Sequence, residues 1–397
     1  MLTGIKRLLT KSNARTTLIS AFNAGGIYLS MKNSGGKEIR RYPKIHSVEP
    51  GEESTRFVFT LPNGFDPKEV AKREYAFKQV FGRFIELKGD LKRYVLTVYK
   101  SGMPTEFKYR YDEIKEAISQ SKLPIVCGKD RNGQLVVYDM RDIPHLLIGG
   151  ATGSGKSTQL RQLLTTLIIA LPPKKLELYL ADLKKAEFHI FRNVEHVKSN
   201  VTLTRHVESM LDYISEEMDR RSDLLDVFGV AHIDDLPTEQ RKPYIVCCID
   251  EFVMLRKNQA VMAKLIELTA LGRALGIFVI LSMQRPVKDV LDTTIRSNLN
   301  VAMGFRVRDA IESRVLNTPG SEKIDVPGRF YMDTNGIMSE VQSPLLSVEE
   351  AKRLLEPFRV APTEAKDITE ITKGPELIEE TPIFGQWETE DDNNEET

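Results

Sequence analysis

The chain of 397 residues has few cysteines, one tryptophan, no net charge and no long apolar run. Its three cysteines are Cys127, Cys247 and Cys248, the last two adjacent in an apolar stretch. That usage excludes a disulfide framework and offers no zinc-ligand spacing. It suits a reducing compartment. No run approaches the roughly 18–20 apolar residues of a membrane helix. The longest apolar-rich stretch, Leu160–Leu171, is interrupted by Arg161, Gln162, Thr165 and Thr166. The N-terminus is basic but lacks the apolar segment and small-residue cleavage site of an export signal. A spanning or exported protein is therefore not expected, and the cytoplasm is the expected location.

What remains is an ordinary soluble composition, 41% hydrophobic and 28% charged, in a chain long enough for two or three domains. The neutral balance of 56 basic and 56 acidic residues hides an uneven spread. Residues 1–50 carry nine Lys and Arg against Glu38 and Glu49, whereas residues 376–397 carry nine Asp and Glu and no Lys or Arg. A basic arm that could touch DNA or a membrane surface, and an acidic tail, point to partners rather than to fold. The tail holds Trp387 beside Phe384, a candidate docking peptide ahead of the acidic run.

The stretch around which the chain is organised is His145–Leu164. Gly150, Ala151, Thr152, Gly153, Ser154, Gly155, Lys156 and Ser157, followed by Thr158, fit the phosphate-loop pattern at every fixed position. Leu146, Leu147 and Ile148 before it read as a buried strand, and Leu160, Leu163, Leu164 and Leu167 after it recur at helical spacing. The glycines allow main-chain N–H groups to turn around a polyphosphate, and the helix N-terminus adds partial positive charge. In that setting Lys156 reaches the β- and γ-phosphates of ATP and Ser157 holds Mg²⁺.

Upstream, residues 51–122 read as a small α/β domain. Thr55–Leu61 alternates like a strand, Asp66–Phe81 opens with the Asp-Pro of a helix start, and Phe84–Leu87 and Tyr94–Tyr99 read as further strands. This is half of a split β-α-β unit. Residues 123–357 follow as the nucleotide-binding domain. A hairpin over Leu123–Tyr138 turns at Asp130–Gly133. Strands at Leu176–Ala181, Tyr244–Ile249, Ile277–Met283 and Val301–Phe305 alternate with helices at Val201–Val227, Val261–Leu275 and Asp309–Leu316. The alternation implies a mostly parallel sheet with helices on both faces, its ligand beyond the carboxyl ends of the strands. Residues 358–397 read as a disordered acidic tail.

Three further features carry chemistry. Tyr244–Glu251 is an apolar run ending in two acids, the Walker B form: Asp250 is placed for the Mg²⁺ shell and Glu251 to polarise the attacking water. Gln284, after the strand Ile277–Met283, is placed to sense the γ-phosphate. Arg273, Arg285 and Arg314 are each candidates for an arginine acting across a subunit boundary.

The run PHLLIGGATGSGKS, then LADLKKAEF, EEMDRRSDLL, PYIVCCIDEF, LGRALGIFVILSMQRP and NVAMGFRVRDAIESRVL resembles the FtsK/SpoIIIE family of hexameric DNA-translocating ATPases, in the family's order. The resemblance covers roughly residues 123–333 and implies an α/β, RecA-like P-loop NTPase core that moves DNA at the expense of ATP. It implies a sensor role for Gln284, favours Arg273 as the arginine supplied in trans, and matches Asp182 and Lys184 to the family's Asp-x-Lys. Membrane helices and a winged-helix domain, carried by larger members, are not expected here. That resembles the compact FtsK-type proteins of plasmids and conjugative elements. The implied partners are DNA of any sequence, further copies of the chain in a homohexamer, and a relaxase or membrane transfer-channel component that could hold it at the membrane. The alternative is an ATP-dependent DNA-binding assembly or recruitment factor that does not translocate.

Overall fold

The computed structural model describes residues 11–32, 35–286 and 293–361. Its centre is a ten-stranded sheet. In spatial order the strands are Val197–Val201, Leu176–Asp182, Tyr244–Asp250, Ile277–Met283, Leu146–Gly149, Val301–Phe305, Arg329–Thr334, Ile337–Gln342, Pro124–Lys129 and Leu135–Asp139. The first six run parallel and the remaining neighbours pair antiparallel. The mostly parallel core is the α/β fold expected from the alternation of elements. Every residue of Leu146–Gly149, Tyr244–Asp250, Ile277–Met283 and Val301–Phe305 is buried. Continuous apolar runs with no polar alternation are what strands covered on both faces require.

This topology gathers chemistry at one edge. Parallel strands end on the same side, so Gly149, Asp182, Asp250 and Met283 finish together. Asp182 stands opposite Asp250, and Gly149 opposite Met283, in register. The strand Ile337–Gln342 returns in the same sense after two antiparallel steps and brings Gln342 to that edge as well. The helix Lys156–Ala170 packs against the strand Pro124–Lys129 and the helix Val348–Leu355, while Thr204–Phe228 packs against Gln259–Leu271. The buried side chains of Gln159 and Gln162 both donate to the carbonyl of Val126, at 3.1 and 2.7 Å, tying the hairpin to the phosphate-loop helix.

A second core belongs to an antiparallel sheet ordered Lys44–Pro50, Ser54–Thr60, Arg93–Tyr99, Ile85–Gly89. Phe22, Phe59 and Phe77 meet there, with ring centroids 5.0 and 6.0 Å apart from Phe22. The basic stretch over residues 1–50, expected as an arm, is part of this second core where it is described. Lys11–Ala24 is a helix whose Ala14, Leu18, Ala21 and Phe22 are fully buried, joined in the core by Ile27, Ile45 and Val48. The apolar residues recur at helical spacing, and the other positions are mostly Ser, Asn and Thr, with Lys11 and Arg15. Residues 1–10 lie outside the described residues, as does the acidic segment from 362 onward with Trp387.

Three other readings are corrected. The helix expected over Asp66–Phe81 is two helices, Pro67–Lys72 and Glu74–Phe81, broken at Arg73, whose guanidinium donates to the carbonyl of Gly26 at 2.7 Å and pairs with Glu69. The helix expected from Val201 starts at Thr204, because Val197–Val201 adds an outer strand beside Leu176–Asp182. Residues 109–118, placed by sequence in the small domain, contribute Tyr109, Ile114 and Ile118 to the core of the large sheet.

Candidate nucleotide site

The phosphate loop leaves the strand Leu146–Gly149 and enters the helix Lys156–Ala170 within a few residues. Gly153 and Gly155 take φ of +77° and +104°, a region that favours glycine. A Cβ at Gly155 would stand 2.6 Å from the main chain of Gly328, and one at Gly150 would stand 2.5 Å from the Cβ of Phe305. The loop is therefore clamped between two other segments. The N–H of Gly328 donates to Ser154 O at 2.8 Å, and the N–H of Ala151 to Arg306 O at 2.8 Å.

Lys156 is buried, and its Nζ donates to Asp250 Oδ1 at 2.6 Å and to Ser282 Oγ at 2.7 Å. Ser282 Oγ donates to the same carboxylate oxygen at 2.7 Å. The three side chains come from the loop helix and two adjacent strands. Ser282 is the member that sequence reading left unassigned. Its signal was a hydroxyl inside an otherwise apolar strand, one residue before that strand's end.

Glu251 follows Asp250 in the left-handed region at φ +58° and is 7% exposed. A non-glycine residue there bears a local cost that surrounding contacts must hold. The N–H of Gln284 donates to Glu251 Oε1 at 3.4 Å, and Lys184 Nζ pairs with Oε2 at 2.8 Å. Thr152 Oγ1 lies 3.3 Å from Gln284 Oε1, so the loop and the end of the strand Ile277–Met283 meet. Asp182 is also buried; its Oδ2 accepts from the N–H groups of Glu187 and Phe188 at 2.8 and 3.0 Å, while Oδ1 has no partner among the described residues.

A cavity of about 600 Å³ opens over this arrangement, lined on one side by Thr152, Lys156, Ser157 and Gln284. The fit to a triphosphate rests on three observations. Cβ atoms at Gly150 and Gly155 would clash with neighbouring segments, Ser154 Oγ is buried with no partner among the described residues, and Lys156 stands at the helix start. Ser157 and Asp250 provide the hard oxygen donors that Mg²⁺ takes. The thiols are no part of it: Cys127, Cys247 and Cys248 are buried, and burial pushes Cys247 up to about 12 and the other two higher.

Arg273 is not brought to this site. It precedes the strand Ile277–Met283, whose far end carries Gln284, and among the described residues its exposed side chain reaches only the carbonyl of Arg141, at 3.3 Å. Six residue steps of about 3.3 Å separate the two ends of that strand, roughly 20 Å. Arg285 is on the near side but pairs loosely with Glu312 at 3.8 Å, and Arg314 is exposed.

Residues 108–253 match the model of the FtsK/SpoIIIE family. This segment is an FtsK/SpoIIIE domain. Among curated relatives the chain is similar to the DNA translocase FtsK of Tropheryma whipplei, 33% identical over 248 residues, which make up 58% of this chain and 34% of that protein. The chain thus spans about a third of the length of the curated relatives it matches. Among solved structures it is similar to the pCW3 conjugation coupling protein TcpA in a monomer form with ATPγS, at TM-score 0.58 and 20% identity, covering 88% of this chain and 99% of that one. It is also similar to the cytoplasmic domain of the Type VII secretion ATPase EccC of Thermomonospora curvata, at TM-score 0.55 and 25% identity, covering 60% of this chain and 31% of that one. The FtsK/SpoIIIE domain here is thus a P-loop ATPase fold. Among the described residues, no helix is long and apolar enough to cross a membrane.

Proposed function

We propose that this protein is an ATP-driven DNA translocase that works as a ring, in which each subunit supplies the phosphate-binding half of a site and its neighbour supplies Arg273. The observation that carries the reading is the convergence of Lys156, Asp250, Ser282, Glu251 and Gln284 at one sheet edge, while Arg273 stands at the other. The similarity to FtsK translocases supports DNA as the substrate, and the fold shared with a conjugation coupling protein supports a role in DNA transfer for plasmids or conjugative elements. A relaxase or a membrane channel component is the partner this role calls for.

ATP binding exchanges one set of contacts for another. Lys156 is committed to Asp250 and Ser282, and it turns to the β- and γ-phosphates when they enter. Ser157 and the released Asp250 would hold Mg²⁺, which supplies charge neutralisation on the phosphates when bound. Glu251 orients a water and takes its proton, and Gln284, joined to both Glu251 and Thr152, links the state of the loop to that carboxylate. DNA is gripped through its phosphates, independently of sequence, so binding weakens steeply with salt.

The test is a triplex-displacement assay with the purified protein. ATP-dependent stripping of the third strand, together with DNA-stimulated ATP hydrolysis, is the expected result. ATP turnover that ignores DNA in every oligomeric state would overturn the reading. DNA-stimulated turnover without displacement would leave an assembly or recruitment factor instead of a motor.

A further inference from the structure

The segment that displays Arg273 is fixed far more tightly than its exposed side chain requires. It spans residues 272–276, between the helix Gln259–Leu271 and the strand Ile277–Met283. Each of its carbonyls is taken. Gly272 O accepts from the N–H groups of Leu275 and Ile277 at 3.1 and 2.8 Å, Arg273 O from Gly276 at 3.2 Å, Ala274 O from Ile233 at 2.9 Å and Gly276 O from Ile245 at 2.9 Å. The remaining carbonyl, of buried Leu275, accepts from a side chain, Arg221 Nη1, at 2.9 Å. Glycines close both ends. A Cβ at Gly272 would stand 2.5 Å from Ile277 O, and Gly276 takes φ of +70°.

Arg221 lies in the run EEMDRRSDLL, none of whose residues lines the cavity over the phosphate loop. It is 1% exposed, and its Nε donates at 2.9 Å to Glu217 Oε1, one turn back on the helix Thr204–Phe228. A buried ion pair of this kind gives little stability that an apolar pair of the same size would not. An apolar pair, however, could not reach a main-chain carbonyl of the next segment, and a buried carbonyl without a donor is costly. We infer that Arg221, held by Glu217, is a positioning residue for Arg273. It locks residues 272–276 so that the exposed guanidinium is presented in one place to a neighbouring subunit. The inference rests on the proposed role of Arg273 in trans and adds what holds that arginine there.

The aim of the Arg273 side chain is set on the same framework. Its Nε donates to Arg141 O at 3.3 Å, and Arg141 pairs with Asp234 at 3.3 Å. Asp234 follows Ile233, the residue whose N–H holds Ala274 O. An arginine that meets a transition state in another chain is not guided by its own phosphate site. Its geometry has to be built into the segment that carries it, and a misplacement of about 1 Å can cost ~10²-fold in rate.

The test replaces the buried pair as a unit, Glu217→Met with Arg221→Met, so that no orphaned charge remains. ATP binding by calorimetry should stay within a few-fold of wild type, while DNA-stimulated turnover falls by about 10²-fold. Mixing under ring-forming conditions then gives a readout that a general loss of structure would not. Combined with Glu251→Gln, which keeps Arg273, the double variant should recover turnover well above the sum of the two proteins. Combined with Arg273→Ala it should stay at that sum. Unchanged turnover in the double variant, recovery with Arg273→Ala, or recovery with neither would overturn the positioning role. If Arg273→Ala and Glu251→Gln do not complement each other, the role of Arg273 in trans falls, and this inference with it. Hydrogen exchange on the wild-type chain needs no variant. The amides of Leu275, Gly276 and Ile277 should exchange as slowly as those within the strand Ile277–Met283, and exchange as fast as in an exposed turn would overturn the locked segment.

Discussion

The strand Ile277–Met283 has two ends that differ in every respect relevant to catalysis. At its carboxyl end, Ser282 is buried and shares a carboxylate oxygen of Asp250 with Lys156, and Gln284 reaches both Glu251 and Thr152. At its amino end, Arg273 is exposed and touches one carbonyl. The first end is a set of groups satisfied within one chain. The second is a cation with no carboxylate partner among the described residues. The difference teaches that the residues a sequence nominates for one site need not converge in one subunit.

The largest effect should come from the exposed end. Arg273→Ala is expected to lower ATP turnover by about 10³- to 10⁵-fold if the arginine stabilises transition-state charge in a neighbour's site. Its melting temperature should barely move, because an exposed side chain carries little of the fold. Turnover within a few-fold of wild type would assign the role elsewhere, with Arg285 next in line. At the buried end, Glu251→Gln should cost about 10²- to 10⁴-fold in turnover with ATP binding retained, measured by calorimetry alongside steady-state kinetics. Unchanged hydrolysis would remove Glu251 as the base. Ser282→Ala should lower affinity for ATP or turnover by about tenfold, the scale of one buried hydrogen bond to charged partners. It takes away one of the contacts that place Lys156 and Asp250.

The smallest effect is one of stability and pH. His145, just before the phosphate-loop strand, is buried and accepts the N–H of Val279 at 3.0 Å. Burial lowers its pKa from 6.5 to about 4. The unfolded chain therefore binds the proton first as pH falls. Stability held above about pH 6.5 is lost on the way down to about pH 4, by up to roughly 3 kcal/mol from this group. Chemical denaturation at pH 7 and at pH 5 should show the loss, and His145→Gln should flatten it. An equal slope in the variant would place the pH dependence on other groups.

How much of this was legible in the sequence follows the range of the interactions. The phosphate loop, the strands Ile277–Met283 and Val301–Phe305, and the acidic end of Tyr244–Asp250 were all readable, because each declares itself within a dozen residues. Ser282 was not, since its importance lies in partners that the sheet brings from residues 156 and 250. The helix Lys11–Ala24 was obscured by the Ser, Asn and Thr of its outer positions, weak helix formers, and its buried face has meaning only against Phe59 and Phe77. The joins of Gly328 to Ser154 and of Arg329 to Met103 and Pro104 leave no local pattern at all.

The most direct measurement mixes two inactive proteins. Arg273→Ala keeps Glu251 but lacks the arginine, and Glu251→Gln keeps the arginine but lacks the base. If sites form between subunits, equimolar mixing under ring-forming conditions creates junctions with both groups intact, and DNA-stimulated ATP hydrolysis should rise well above the sum of the two separate proteins. A mixture that stays at that sum would contradict a site shared between neighbours.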